Sequence, residues 1–242
     1  MQPSTPNIPA LSVQFESQPL TDNDVASVIL NLRSNKAPGF DKILARILKD
    51  SLPATFHIIT SLINISFKSN TFARVWKIAE VTCVPKDGDA GNPCNNRPIS
   101  LLPVLSKVNE RLVHRQFVTF LDNSNKPSQF QTGNRKHHST ETALLSLTDD
   151  LLKAMDERKI SILVLMNMWK AFDSINHDLL LVKLRSLVVC LSPLEWLKRY
   201  LKGRYQYVRI RDVVSQSLPV DYAGVPQGPI LGPVLFTFIN CT

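Results

Sequence analysis

No stretch of this sequence reaches the roughly 18 consecutive apolar residues that a membrane-spanning helix needs. The opening residues, MQPSTPNIPALS, carry neither the basic segment nor the apolar stretch of a secretory leader. Cysteine is sparse: Cys83, Cys94, Cys190 and Cys241 form no CxxC pair and have no ladder of histidines beside them. That pattern argues against a zinc module and a disulfide framework. It suits a reducing intracellular compartment, cytoplasmic or nuclear, and not secretion. Glycine is scarce, 8 residues against 16 prolines, which argues against flexible low-complexity sequence. There is no internal repeat, and no linker long enough to separate independent domains. Acidic residues are in the minority, 20 against 28 Lys and Arg, for a net charge of +8. A basic excess suits a polyanionic partner such as nucleic acid. A solubilising surface charge would give the same count.

What is present is ordinary globular material, 44% hydrophobic, enough for one large core or two small ones. Thr21 and Asp24 frame a capping box before an amphipathic run through Val25, Val28, Ile29 and Leu32. SNKAPGFD, residues 34–41, is a loop by its Pro-Gly turn. Helices are predicted over 42–50 and 54–69, and alternation over 77–85 predicts a strand. Residues 86–98, KDGDAGNPCNNRP, are turn chemistry throughout. A long helix follows over 103–122, then a polar, basic loop over 123–138. Ser139 caps a helix with Leu144, Leu147 and Leu151 on one face. ISILVLMNM, residues 160–168, is a continuous apolar run typical of a central strand covered on both faces. Further helices are predicted near 176–188 and 193–202, and strands over 205–211 and 216–221. AGVPQGPILGP is a Gly/Pro loop, and VLFTFIN begins or continues a helix. Helices first, then strands mixed with helices, is an α+β order.

Five stretches go beyond pattern: SNKAPGFDKI (34–43), VPKDGDAGNPCNNRPISLLPVLSK (84–107), SQFQTGNRKHHSTETALL (128–145), MNMWKAFDSINHDLL (166–180) and GVPQGPILGPVLF (224–236). In this order and at this spacing they closely resemble the reverse transcriptase domain of non-LTR (LINE-like, jockey-like) retrotransposons. The resemblance implies a right-hand polymerase fold, fingers plus partial palm. Residues 1–20 would be an extended lead-in, 21–158 a fingers-like region and 159–242 a partial palm. The thumb, absent here, and the rest of the palm would lie beyond residue 242. It also implies RNA-directed DNA polymerase activity on an RNA template, a DNA primer and dNTPs, with Mg2+ as cofactor. No membrane and no protein partner are implied.

Nucleotidyl transfer uses two divalent ions that clamp the attacking and leaving oxygens. Mg2+ prefers carboxylate oxygens on rigid elements. The resemblance places one metal-binding aspartate where Asn167 stands, and two more in an Asp-Asp hairpin after GVPQG, which is not reached before Thr242. The resulting expectation is that these residues hold no competent metal site. The chain then reads as a truncated, degenerate and inactive copy. Two alternatives stay open. One is a non-catalytic nucleic-acid-binding remnant. The other is a working polymerase from a longer parent, with Asn167 an isolated variant.

Asp173 or Asp178 could stand in as a ligand, but Asp173 equally suits a turn or helix cap. Phe172 matches an aromatic that lies under the incoming sugar and excludes a 2′-hydroxyl, and would also serve as a core ring. Gln227 and Gly228 match a loop that touches nucleotide and template, and both fit a tight turn entering a helix. Arg97 and Lys86 match fingers positions that face the triphosphate or template. Lys36, Arg135 and Lys136 are basic loop positions suited to the nucleic-acid backbone. Each of these cations could equally be solvated loop charge. His137 and His138 are adjacent and lack ligand spacing. The sequence departs from the resemblance at Asn96, Asn134, Trp169 and Pro229. A palm strand without its neighbouring hairpin exposes an edge, which predicts low solubility or partial unfolding of the isolated chain.

Overall fold

A computed structural model describes residues 14–86, 91–92, 95–124, 132–133, 137–166, 172–187, 189–220, 224–225 and 228–240. Both arms of the first capping box form. Thr21 Oγ1 accepts from the Asp24 N–H, and the Thr21 N–H donates to Asp24 Oδ2 at 3.0 Å. This opens α1 (Asp22–Leu30), which buries Val25, Val28 and Ile29. α2 (Ala45–Asp50) and α3 (Leu52–Lys68) follow, with Pro53 in the first turn of α3, where its missing N–H costs nothing. α4 (Val104–Asn123) is the longest helix among the described residues. The loop before α2 lies on the entry to α4 at Gly39. A β-carbon there would come 2.4 Å from Pro103 N and 2.5 Å from the Leu102 carbonyl carbon, so only glycine permits this approach.

α6 (His177–Leu187), α7 (Leu191–Leu201) and α8 (Leu231–Asn240) complete the helical layer. One core joins them: Ile29, Ile63, Leu112, Leu180, Leu184, Leu201, Leu231 and Leu235 belong to a single buried cluster. Phe72 meets Trp76, Trp196 and Tyr200 edge to face within it. The Trp196 Nε1–H donates to Ser66 Oγ at 3.0 Å, so the indole is buried without an orphaned donor. Ahead of α1, Phe15 is buried against Phe117 and Phe120 of α4. It forms an isolated parallel bridge with Val189, and the Cys190 N–H donates to its carbonyl.

The sheet has the order β2-β1-β3-β4, with β5 also paired to β3. Its strands are β1 (Ile78–Pro85), β2 (Asn96–Leu101), β3 (Arg204–Ile210), β4 (Val213–Val214) and β5 (Leu218–Val220). β1 runs antiparallel to β2, with Val81 opposite Ser100, and parallel to β3, with Glu80 opposite Tyr207. β3 turns back through Arg211, whose φ of 54° is left-handed, and Ile210 pairs with Val213. The return strand then slips: Arg209 faces Val214, yet Gln206 faces Leu218. One extra residue lies between these pairs, which is a β-bulge. The sheet is thus drawn from both sides of residue 158.

Two expectations are corrected. The stretch 86–98 is not turn throughout, because β2 begins at Asn96. Pro98 signals a turn by composition, but it sits on the outermost strand, where a missing N–H is tolerated. The apolar run is not a strand over residues 160–166, where no strand forms, and Ile160 and Met166 are 94% and 88% exposed. A strand requires a neighbour to take its N–H and C=O groups, and no described strand pairs with it. Asn167 and Met168 lie outside the described residues. α5 (Thr140–Asp156) is capped as predicted, with Ser139 and Thr142 exchanging side-chain to backbone bonds, but it buries none of its residues. From Thr140 to Met166 no residue is buried.

Candidate active-site cleft

Two of the motif stretches are stapled together by backbone hydrogen bonds. The Gly224 N–H donates to the Ile175 carbonyl at 2.8 Å, and the Val225 N–H to the Phe172 carbonyl at 2.9 Å. His177 Nε2 hydrogen-bonds the Gly224 carbonyl at 2.7 Å. Asn176 fixes the start of α6 by accepting from the Asp178 and Leu179 N–H groups at 2.9 and 3.0 Å. Gly224 has a φ of 89°, and a β-carbon there would lie 3.1 Å from the Asp173 α-carbon. Glycine therefore lets the two segments touch.

The staple forms one wall of a cleft of about 350 Å³. Asp173, Gly224 and Val225 line that wall; Ala79, Val81, Cys83, Pro98, Ser100 and Val208 line the opposite wall, on one face of the sheet. Asp173 is exposed. Phe172 is half-buried at the edge of the core, with its ring 5.0 Å from that of Phe236. Gly228, at a φ of 115°, lies on β2, where a β-carbon would meet the Ser100 carbonyl oxygen at 3.1 Å. Lys86 is exposed at the loop end of the β1–β2 pair, where its N–H donates to the Asn95 carbonyl at 2.8 Å. Arg97 is exposed, and by strand alternation it points to the face opposite Pro98 and Ser100, away from the cleft. Lys36 is exposed in the loop before α2. Asn167, Gln227, Arg135 and Lys136 lie outside the described residues. The structure thus unites Phe172, Asp173 and Gly224, sets Gly228 on β2, and leaves Arg97 on the far face.

Two buried carboxylates were not anticipated. Glu110, 0% exposed on α4, accepts from the Ile230 N–H at 2.9 Å and from Ser106 Oγ at 3.3 Å. It holds the start of α8, three residues after Gly228. Burial pushes its carboxyl above the usual range, against the pull of the Arg204 charge and the backbone donors. The sequence signal was a glutamate on the apolar side of a helix, between Val108 and Leu112. Glu80 on β1 is bonded by Lys42 Nζ at 2.8 Å, by the Tyr207 hydroxyl at 2.8 Å, and is ion-paired with Arg209 Nε at 3.1 Å. Burial works against its charge. The bonds from Lys42 and Tyr207, with the charges of Lys42 and Arg209, outweigh burial and hold the carboxyl below its usual value.

Among the described residues no group of three Asp, Glu, His or Cys side chains is placed to hold a metal ion. Asp173 is the one carboxylate among the described residues lining the cleft. A pair of hard divalent ions needs more oxygen donors than that, so the described set does not fit one. Among the described residues no helix is long and apolar enough to cross a membrane.

The family model for reverse transcriptase (RNA-dependent DNA polymerase) matches residues 84–240. The chain is 34% identical to the probable RNA-directed DNA polymerase from transposon BS of Drosophila melanogaster, over 94% of this chain and 25% of that protein. It is 32% identical to the probable RNA-directed DNA polymerase from transposon X-element of the same organism, again over 94% and 25%. It is 30% identical to the RNA-directed DNA polymerase from mobile element jockey, over 90% of this chain and 24% of the relative. The chain therefore spans about a quarter of the length of these curated relatives. On the match over 84–240, this chain belongs to the reverse transcriptase (RNA-dependent DNA polymerase) family.

Proposed function

We propose that the chain is a fingers-and-partial-palm segment of a non-LTR retrotransposon RNA-directed DNA polymerase, and that this copy does not catalyse DNA synthesis. In this reading residues 1–20 are a lead-in, 21–158 the fingers-like region and 159–242 the partial palm. The RNA template, DNA primer and dNTP meet at the cleft. An intracellular location, cytoplasmic or nuclear, belongs to the same proposal.

One observation carries the loss of activity: Asn167 stands where the motif calls for a metal-binding aspartate. Asparagine keeps the shape and one carbonyl oxygen but brings no charge. Losing several kcal/mol of ion-supplied stabilisation, at about 1.4 kcal/mol per tenfold, costs three or more orders of magnitude in rate. The stapling of Gly224 to Ile175, and the placing of Asp173 beside it, support the cleft as the site. Within it, Gln227 and Gly228 would approach template and nucleotide, with Phe172 under the sugar. Lys86 would meet phosphates, Arg97 would do so from the opposite face of the sheet, and Lys36, Arg135 and Lys136 would meet the nucleic-acid backbone.

The test is primer extension by the purified chain on an RNA template with dNTPs and Mg2+, with Asn167→Asp run alongside. The expected result is no extension by the natural chain. Extension by it would overturn the proposal. The second reading, a non-catalytic nucleic-acid-binding remnant, is favoured by the net charge of +8. It requires RNA binding at low salt that weakens steeply as salt rises. No RNA affinity at low salt would remove it.

A further inference from the structure

We infer that the chain pairs with a second copy of itself by laying α5 of one copy along the outer side of α3 of the other. α3 buries Ile59, Ile63 and Phe67 in the core, yet its other side is apolar too. Ile58, Leu62 and Ile65 fall at positions i, i+4 and i+7 of that side, and even the least exposed of them, Leu62, keeps 47% of its surface in solvent. A helix with apolar residues on both sides is built to be covered on both. α5 is the complementary case. It is capped at its start by Ser139 and buries none of its residues. Leu144, Leu152 and Met155 are exposed along one side of it.

The charges of the two helices are opposite. Residues 51–79, which include α3, carry Lys68, Arg74 and Lys77 and no Asp or Glu. α5 carries Glu141, Asp149, Asp150 and Asp156 against a single cation, Lys153. Asp149 and Asp156 are two turns apart, so both flank the same edge of the apolar side, as Lys68 flanks Ile65 on α3. The lengths match as well: each helix has 17 residues, about 25 Å.

Charge chooses between the possible pairings. α3 against a second α3 sets cation against cation, and α5 against a second α5 sets acid against acid. α3 against α5 joins opposite signs over two apolar stripes. Within one copy both stripes are exposed, so they do not cover each other. Every copy carries both halves, and the occupant of each is therefore another copy of this chain. One helix laid on another is a small interface, so the association is weak and reversible. The inference concerns association alone and does not depend on whether the cleft polymerises DNA.

The test is sedimentation velocity of the full chain over a micromolar concentration series. Leu62→Glu sets a charge in the α3 stripe, and Leu152→Glu sets one in the α5 stripe. Both positions are exposed, so the circular dichroism and thermal melts of the variants should match those of the natural chain. The expected result is reversible association of the natural chain, weakened roughly tenfold or more in each variant alone. An equal mixture of the two variants should regain association, because Leu62→Glu keeps an intact α5 and Leu152→Glu an intact α3. Asp149→Asn with Asp156→Asn should weaken the pairing about two- to fivefold at low salt. Three results would overturn the inference. These are a natural chain that stays monomeric throughout the series, variants that associate as the natural chain does, and a mixture no better than its components. Association that ignores both variants but is lost in Leu163→Lys with Leu165→Lys would belong to residues 160–166 instead. No primer, template or nucleotide enters this measurement, so its failure is separable from that of the polymerase reading.

Discussion

Glu80 occupies a strand position that alternation turns away from the cleft, yet its side chain is only 5% exposed because Lys42, Tyr207 and Arg209 close over it. Its carboxyl titrates below the usual value near 4.5, so the folded chain releases this proton more readily than the unfolded chain. That contribution is complete above about pH 4.5 and is lost as pH falls through the folded value. Glu80→Gln should flatten the acid limb of stability, read by denaturant melts across pH, and cost about 2 kcal/mol at neutral pH. Lys42→Met should cost less than about 1 kcal/mol, because the lysine is more than half exposed. Gly39→Ala should cost about 1–3 kcal/mol in the same melts, since its methyl would enter the backbone of Leu102 and Pro103. At this scale the family motifs were legible, because a motif is local in the chain, and the family match over residues 84–240 bears the resemblance out. Glu80 was not. Its partners lie 38 and more than 120 residues away, and no local pattern connects them.

Helix boundaries were legible where a side chain closes the first turn, as at Thr21 with Asp24 and Ser139 with Thr142. Strands were less so. An unbroken apolar run says that a segment avoids water, not which neighbour covers it, and residues 160–166 have no described strand beside them. This run has no charge, no Pro and no Gly, the composition of a self-pairing segment. Leu163→Lys with Leu165→Lys should therefore lower concentration-dependent scattering and shift sedimentation toward monomer. A change in neither measure would refute self-pairing. α8 depends on a distant cap. Glu110→Ala removes the acceptor for Ile230, whereas Glu110→Gln keeps an oxygen there, so alanine should destabilise by about 1–3 kcal/mol more than glutamine. Its pH dependence has the opposite sign to that of Glu80. A carboxyl raised by burial favours the folded state while protonated, so its contribution is full below about pH 4.5 and falls as pH rises through the folded value. Glu110→Gln should remove that slope.

Across the whole molecule the α+β composition was legible from element order, whereas the sheet was not. β1 and β3 pair in parallel although Ile78 and Tyr205 are far apart in sequence, and periodicity carries no information about such a partner. The single core predicts uneven protection in amide exchange. α4 and α7 should be slow, and Thr140 to Met166, with nothing buried, should exchange as local openings. Equal protection of the two sets would contradict this partition. The bridge from Phe15 to Val189 has a consequence in time. At about 5–20 residues per second on the ribosome, Phe15 waits on the order of ten to thirty seconds for its partner. Phe117 and Phe120 are made well before Val189, so the arm has a docking place on α4 in the interval. Phe15 is thus secured by Val189 only after the intervening helices α1 to α6 have been made.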